Sequence, residues 1–353
     1  MGKPNKVILR VEQLVKEFPL RGSRDVVHAV NDVSFEVHAG ETVALVGESG
    51  SGKTTVGRCV LKLLKPTSGS LVFNGQDITD LDQKEFHPFR SRMQLVFQEP
   101  YDSLNPRLKV STILEENLFL EGKLSSNERE TRVRELLDMT RLSRELLGRY
   151  PHELTGSEQQ RLGIARAIST QPDLVVLDEP TSALDISVRA EIINLLRDLQ
   201  RDTGIAYLFI SHDLTAVKEV SHRVAIMYLG QIIEIAPNPD IFSYQLQPYS
   251  QALLASVLFP DPDAVFGNIT LEGEIPSPVN PPSGCYLHPR CPFAFPLCAK
   301  EGPERALCSD GRVASCHRTH EFLPDSVAEF GRPAMTRHMS EEELANLEAK
   351  LIR

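Results

Sequence analysis

A glycine-rich octapeptide, residues 47–54, constrains the fold of this 353-residue chain more than any other feature. It fits the pattern G-x4-G-K-[ST], follows the short apolar run Thr42–Val46, and opens a helical pattern. Its glycines let consecutive backbone N–H groups point into one concavity, at which the next helix aims its positive N-terminal dipole. The sequence therefore predicts a phosphate-binding loop in an α/β fold. The predicted nucleotide contacts here are Gly47, Glu48, Ser49, Gly50, Ser51, Gly52, Lys53, Thr54 and Thr55.

Two carboxylates end an apolar run that starts at Leu174. In phosphate-loop proteins the lysine of this motif reaches the β- and γ-phosphates, and the hydroxyl that follows it binds Mg²⁺. We expect Lys53 and Thr54 to have these roles here. Asp178 suits Mg²⁺ binding through a water molecule or through a direct ligand that it orients, whereas Glu179 at the strand tip can polarise a water aimed at the γ-phosphate. These residues therefore predict a site for a nucleoside triphosphate and Mg²⁺.

Two more polar residues follow predicted strands. Gln98 comes after the run Met93–Phe97, and its neutral amide oxygen can complete the Mg²⁺ sphere. His212 comes after Ile205–Ser211 and is expected beside the same edge of the sheet as a second catalytic residue. A structural histidine is the alternative for His212.

Apolar strands alternate with amphipathic helices along the middle of the chain, which predicts a doubly wound α/β core. Leu174–Leu177 and Ile205–Ile210 are almost wholly apolar, as strands buried on both faces are. Val7–Val15 and His28–Val37 alternate apolar with polar residues, as half-buried strands do. Residues 111–167 have a helical, charged pattern.

Composition excludes a disordered chain, a collagen-like chain and a small domain held together by disulfides. Hydrophobic residues make up 41% and charged residues 24%, which suits a globular chain with a sizeable core. The formal net charge of −10 argues against broad nucleic-acid binding. No window of 18 uncharged apolar residues exists, and residues 1–10 lack the features of an export signal, so we expect a cytosolic protein without membrane spans.

Five of the six cysteines fall between residues 285 and 316, in a stretch rich in proline. In a reducing cytosol, clustered cysteines are more often metal or cluster ligands than disulfides. The spacing C-x5-C-x6-C-x17-C lacks the C-x2-C pairs of many zinc sites. Spacing alone leaves zinc, an iron–sulfur cluster and unliganded thiols open.

The ordered motifs resemble those of ATP-binding-cassette ATPases over about residues 7–236, with a helical subdomain at about 99–170 and an N-terminal antiparallel β-subdomain. The resemblance implies a head-to-tail dimer that sandwiches two ATP molecules, with each phosphate loop facing the partner's signature segment. It also implies that Phe18 stacks on adenine, with a core phenylalanine as the alternative. The implied signature residues are Thr155, Gly156, Ser157 and Glu158, and the implied D-loop residues are Ser182 and Asp185.

Residues 101–107, 247–254 and 273–292 narrow the resemblance to the oligopeptide/dipeptide importer ATPases. That subfamily implies a second, non-identical ATPase subunit, two transmembrane permease subunits, an extracytoplasmic solute-binding protein, and a peripheral location at the cytoplasmic face of the membrane. It also implies a C-terminal domain at 237–325, followed by a tail or helix at 326–353. Some members hold a [4Fe-4S] cluster, for which the ligands here would be Cys285, Cys291, Cys298 and Cys316, with Cys308 as the non-ligand and Zn²⁺ as the alternative.

One segment departs from the family pattern, in which Leu-Ser-Gly-Gly-Gln is usual. Here the corresponding residues end in Ser157 and Glu158. A carboxylate near a triphosphate is unfavourable unless it points away or pairs with a base. We expect Arg161, on the same helix, to pair with Glu158.

The leading functional hypothesis is an ATPase subunit that energises a di- or oligopeptide importer. An importer for oligosaccharides or other small solutes is the alternative. A non-transport cassette ATPase usually has paired cassettes or a long coiled-coil insert, and this sequence shows neither. A P-loop kinase would not need the signature segment, residues 182–185 and His212 together.

Overall fold

The computed structural model describes residues 6–20, 22–99, 103–255, 269–308 and 312–321. Among the described residues, the strands of the main sheet are β3 (Thr42–Val46), β6 (Met93–Val96), β7 (Leu174–Asp178), β8 (Ala206–Ile210), β9 (Arg223–Tyr228), β10 (Gln231–Pro237), β11 (Ala306–Leu307) and β12 (Val313–Ala314). They lie in the order β11-β12-β10-β9-β3-β8-β7-β6. The central pairs β9-β3, β3-β8, β8-β7 and β7-β6 are parallel, and β10 and β12 extend the sheet with antiparallel pairing.

A second, antiparallel sheet has the order β2-β1-β4-β5. It corresponds to the predicted N-terminal β-subdomain, although its first two strands are longer than the sequence pattern suggested. Its strands are β1 (Val7–Pro19), β2 (Val26–His38), β4 (Ser68–Phe73) and β5 (Gln76–Asp77).

The α-helices lie on both faces of the main sheet, and several of them belong to the segment between β6 and β7. The helix after the phosphate loop ends at Val60, and Lys62 beyond it has φ 52°. The helices are α1 (Lys53–Val60), α2 (Gln83–Arg90), α3 (Val110–Glu121), α4 (Ser126–Met139), α5 (Gly156–Ile168), α6 (Ile186–Thr203), α7 (Leu214–Val220), α8 (Asn238–Ser243), α9 (Pro248–Ala255) and α10 (Pro296–Lys300).

The central strands divide the core into two apolar clusters because successive side chains point to opposite faces. On β7, Leu174 and Val176 pack with the N-terminal sheet and α1, whereas Val175 and Leu177 pack with the helical segment and α6. All five residues of β7 are buried, as the apolar run predicted. This burial fixes the strand ends at which the polar residues are displayed.

The C-terminal region joins the main sheet, because β12 pairs with β10 at Glu234 and Ala314. Glu234 is fully buried, and its carboxylate accepts a hydrogen bond from the Leu246 N–H at 2.9 Å. Burial raises the pKa of Glu234 to about 7. The predicted tail at 326–353 lies outside the described residues. Within those that are described, no helix is both long and apolar enough to span a bilayer.

Candidate functional site

The phosphate loop uses glycine where the backbone requires it. Gly52 has φ 103°, and a Cβ there would lie 2.2 Å from the carbonyl oxygen of Ala29. Gly47 has φ 151°, and a Cβ there would lie 2.2 Å from the carbonyl oxygen of Met227. Larger residues would therefore push the loop off β2 and β9, so the sequence pattern reflects close packing as well as phosphate access.

Lys53 is 6% exposed at the start of α1, and it closes the loop on itself. Its ammonium donates hydrogen bonds to the carbonyl oxygens of Gly47 at 2.8 Å and Glu48 at 2.9 Å, and to Ser51 Oγ at 3.2 Å. Burial lowers the pKa of Lys53, and the nearby carboxylates, Glu179 first, partly offset this. An ammonium has three donors, so a phosphate oxygen would have to replace one of these partners.

Thr54 and Asp178 form the side of the site that suits a divalent cation. Thr54 Oγ1 donates to Asp178 Oδ1 at 3.0 Å, which leaves the hydroxyl lone pairs free to face a cation. Burial raises the pKa of Asp178, and a cation beside it would favour the charged form. The donor set is oxygen-rich, as Mg²⁺ requires.

Glu179 is held between the two other predicted residues. Gln98 Nε2 donates to Glu179 Oε2 at 3.2 Å, and His212 Nδ1 lies 3.1 Å from Glu179 Oε1. The backbone of Glu179 has φ 49°, in the left-handed region that non-glycine residues adopt at a cost. The structure thus brings together a carboxylate, an amide and an imidazole at one sheet edge.

These residues line one open cavity of about 620 Å³, beside which Phe18 on β1 pairs with Val27 on β2. The half-buried Phe18 ring also has the Lys16 ammonium 4.8 Å from its centroid. The residues that line the cavity are Val27, Ala29, Ser49, Gly50, Gly52, Lys53, Thr54, Thr55, Gln98, Glu179, His212 and Pro278.

The signature segment forms the start of α5. The Thr155 hydroxyl accepts a hydrogen bond from the Glu158 N–H at 3.3 Å, and the Glu158 carboxylate accepts one from the Thr155 N–H at 2.8 Å. This is a capping box. Gly156 is exposed and Ser157 is half-buried, so the segment presents a helix N-terminus at the surface.

The predicted pairing of Arg161 with Glu158 is wrong. Arg161 Nη2 lies 2.7 Å from Glu191 Oε2 on α6, and Arg161 Nη1 donates to the Thr140 carbonyl oxygen at 3.2 Å. Glu158 is at the third position of the helix, where its carboxylate turns back to cap the first turn. Its charge is therefore compensated by the N–H and hydroxyl groups of Thr155 and by the helix dipole.

The D-loop residues also have local partners. Ser182 Oγ donates to the carbonyl oxygen of Glu179 at 3.0 Å and so fixes the turn after β7. Asp185 caps α6 by accepting a hydrogen bond from the Val188 N–H at 2.9 Å, and this bond contributes most to lowering the pKa of Asp185. Both residues shape the backbone that leaves Glu179.

Sequence reasoning missed three residues of the C-terminal region that contact the nucleotide loop or its cavity. Pro278 lines the cavity, and its carbonyl oxygen accepts a hydrogen bond from the His28 N–H at 3.0 Å. The Tyr249 hydroxyl accepts one from the Glu48 N–H at 3.0 Å, and Arg290 Nη1 lies 3.3 Å from Glu48 Oε2. No local motif reports such contacts, because the partners are some 200 residues apart in the chain.

Four of the clustered cysteines converge. Cys285, Cys291, Cys298 and Cys316 line a common cavity of about 20 Å³, whereas Cys308 directly follows β11. Burial raises the pKa of Cys285 to about 11 and that of Cys316 to about 12. As the described side chains stand, no group of three or more His, Cys, Asp or Glu residues is arranged to hold a metal ion.

Two family models match the chain. The ABC transporter model matches residues 30–182, which include the phosphate loop, Gln98, the signature segment and Glu179. The model described as the oligopeptide/dipeptide transporter C-terminal region matches residues 233–298, which include most of β10 and three of the converging cysteines.

Curated relatives match over nearly their whole length. The "Probable peptide ABC transporter ATP-binding protein y4tS" of Sinorhizobium fredii is 46% identical over 96% of this chain and 94% of its own. The oligopeptide transport ATP-binding protein AppF of Bacillus subtilis is 43% identical over 88% of this chain and 97% of its own.

Solved structures agree with the fold. The dimeric ATP-binding cassette MJ0796, in a post-hydrolysis state with ADP and phosphate, superposes with a TM-score of 0.60 at 28% identity. The match covers 65% of this chain and 99% of that cassette. The chain therefore belongs to the ABC transporter family, as an ATP-hydrolysing subunit that uses ATP and Mg²⁺ and carries the oligopeptide/dipeptide transporter C-terminal region.

Proposed function

We propose that this protein energises an ABC importer for di- or oligopeptides. The observation that supports this most directly is the match to relatives named for peptide and oligopeptide transport, which spans both the ATPase and the C-terminal region. We place the boundary between these two regions near residue 237. ATP binding and hydrolysis would drive the transport cycle.

We propose that Glu179 is the general base for hydrolysis. Its carboxylate is oriented by Gln98 and His212, so it is positioned to polarise a water aimed at the γ-phosphate. Lys53 and the loop N–H groups would bind the phosphates. The groups that would hold Mg²⁺ are Thr54, Gln98 and Asp178; the cation would neutralise phosphate charge.

We further propose that the chain works as a heterodimer with a second, non-identical ATPase subunit. Thr155, Gly156, Ser157 and Glu158 would then face the partner's phosphate loop, with Ser182 and Asp185 near the dimer interface. The exposure of Thr155 and Gly156 at the start of α5 supports this, since the N–H groups and the dipole of a helix N-terminus can bind an anion.

The remaining partners follow from this assignment. Two transmembrane permease subunits would receive the dimer at the cytoplasmic face of the membrane, and an extracytoplasmic solute-binding protein would deliver the peptide. A chain with this role is a peripheral subunit.

We also propose that Cys285, Cys291, Cys298 and Cys316 bind a [4Fe-4S] cluster. These four thiols share one cavity, as cluster ligands must, and Cys308 lies elsewhere in the β11–β12 connection. An iron–sulfur cube is wider than a single ion, so the thiols need not meet at one point. Bound there, a cluster would cross-link loops that have little regular secondary structure.

Co-expression with candidate permeases and a second ATPase tests the assembly. We expect the four subunits to co-purify, and we expect the Glu179→Gln variant to trap an ATP-bound heterodimer in size-exclusion chromatography. An ATP-dependent homodimer that excludes the second ATPase would contradict the heterodimer. Stimulation of ATPase activity by a sugar-loaded but not a peptide-loaded binding protein would contradict the peptide assignment.

A further inference from the structure

Among the described residues, hydrogen bonds and an ion pair join the C-terminal region to the phosphate loop at Glu48. The Glu48 N–H donates to the Tyr249 hydroxyl at 3.0 Å, and the Glu48 carboxylate lies 3.3 Å from Arg290 Nη1. The carbonyl oxygen of the same residue accepts a hydrogen bond from Lys53 at 2.9 Å. Glu48 thus joins the phosphate-binding lysine to two side chains that lie more than 200 residues further along the chain.

Glu48 is not among the residues that line the nucleotide cavity. It borders a separate cavity of about 490 Å³ that is also lined by Tyr249 and Arg290. The Arg290 side chain is only 10% exposed, so its charge is poorly screened by water. An unpaired carboxylate in a loop that binds a triphosphate would oppose that binding, and Arg290 both compensates its charge and holds it on the far side.

We propose that Arg290 is a positioning residue for ATP binding that acts through Glu48, with Tyr249 fixing the same residue by its backbone. The C-terminal region is then a part of the nucleotide site and not an appendage to it. This inference rests on the nucleotide site proposed above and assigns a further group to it.

Two other contacts provide matched controls, because they join the same two regions without involving the phosphate loop. Arg305 donates to the carbonyl oxygen of Asp32. The Tyr286 hydroxyl accepts a hydrogen bond from Asn31 Nδ2 at 2.8 Å. Each control is the same residue type as the residue that it matches.

The test measures equilibrium binding of a fluorescent ATP analogue, together with the ATPase KM and kcat, on the full-length chain and its variants. Arg290→Ala should weaken binding and raise KM roughly threefold to tenfold, the scale of one partly buried ion pair whose partner charge remains. The kcat should change less than twofold, since Glu179 is not touched. Arg290→Lys should retain most of the affinity.

Charge rescue separates positioning from simple destabilisation. Adding Glu48→Gln to Arg290→Ala should restore affinity to within about twofold, because the uncompensated charge is gone. Tyr249→Phe should weaken binding about threefold by removing one hydrogen-bond acceptor. Arg305→Ala and Tyr286→Phe should bind the analogue as the unmodified chain does, and melting temperatures would be recorded for all variants.

The inference is overturned if Arg290→Ala binds normally, if Glu48→Gln fails to rescue it, or if Arg305→Ala weakens binding equally. Lys53→Ala is the reference for the site itself and should weaken binding about tenfold or more. Normal binding by Lys53→Ala would overturn the nucleotide site and this inference with it. Impaired Lys53→Ala beside normal Arg290→Ala would overturn the inference alone.

Discussion

The nucleotide cavity and the cysteine-lined cavity differ in how far the protein alone organises them. Around the nucleotide cavity, Lys53, Thr54 and Glu179 each have partners at hydrogen-bond distance. Around the cysteine-lined cavity, half-buried thiols such as those of Cys285 and Cys316 have raised pKa values and are not arranged, among the described residues, to hold a metal ion.

The difference shows that the two regions derive their order from different sources. Strand ends, glycine geometry and helix caps fix the nucleotide cavity, so it is preformed before a ligand arrives. In the part of the cysteine-lined segment that the structure describes, regular structure is limited to one short helix and two two-residue strands, so the segment would take much of its order from the group that its thiols bind.

The largest effect is expected when the proposed general base of the preformed nucleotide site is removed. Glu179→Gln should reduce ATP turnover by about 10²-fold or more, because the amide cannot accept a proton from water. ATP binding should remain nearly intact, since the phosphate contacts are unchanged. Steady-state ATPase assays and analogue binding measure the two effects, and turnover at the unmodified rate in the assembled transporter would refute the role of Glu179.

Changes at the cysteine-lined cavity should have a smaller effect, which is measured as iron content and melting temperature and not as ATP turnover. The anaerobically purified chain should be brown, with about four iron atoms and broad absorbance near 400 nm. Cys316→Ser should lose most of that iron and lower the melting temperature by several degrees, because one ligand is removed from the cavity. Metal analysis and thermal unfolding measure these changes.

Cys308→Ser is the matched control and should retain both iron and melting temperature, since Cys308 lies outside the cavity. A colourless protein with one zinc would assign the same four cysteines to a tetrahedral site. Metal-free protein purified anaerobically would refute both forms of the proposal.

The smallest effect is expected where the two regions meet, at Glu234. The folded chain retains the proton of this carboxyl up to about pH 7, whereas the unfolded chain releases it from its ordinary value of 4.5. Stability from the neutral carboxyl is therefore full below that lower value and is lost as the pH rises toward 7. Glu234→Gln should flatten the decline in melting temperature between about pH 5 and 7.

Glu130→Gln is a suitable control, because Glu130 is exposed and pairs with Arg134 at 2.6 Å on the same helix. It should leave the pH profile unchanged. A Glu234→Gln profile that runs parallel to that of the unmodified chain would show that Glu234 does not titrate in this range.

The sequence predicted the strand–loop–helix order around Lys53 because the glycine pattern and strand burial are local properties. It also placed Gln98, Glu179 and His212 at one sheet edge, because parallel strands end together, and the structure brings them within hydrogen-bond distance. The phosphate-loop residues Ser49, Gly50, Gly52, Lys53, Thr54 and Thr55 line the same cavity.

The contacts that sequence reasoning missed depend on tertiary packing. Helical spacing predicts that Arg161 pairs with Glu158, but Arg161 on α5 forms its ion pair with Glu191 on α6. Tyr249, Pro278 and Arg290 approach the phosphate loop only because β10 joins the main sheet and carries the following chain back across it. Periodicity and motif spacing do not encode such approaches, so the sequence predicts a C-terminal domain without predicting its contacts with the phosphate loop.

The left-handed backbone at Glu179 means that the hydrolytic role proposed for this residue lowers the stability of the folded chain. A residue with a Cβ pays about 1 kcal/mol or more to adopt φ 49°, and glycine would adopt it freely. Selection for heat resistance alone would therefore drift toward glycine at this position and discard the carboxylate. In a laboratory evolution of this chain, a screen for folding stability and a screen for ATP turnover would therefore select different amino acids at position 179.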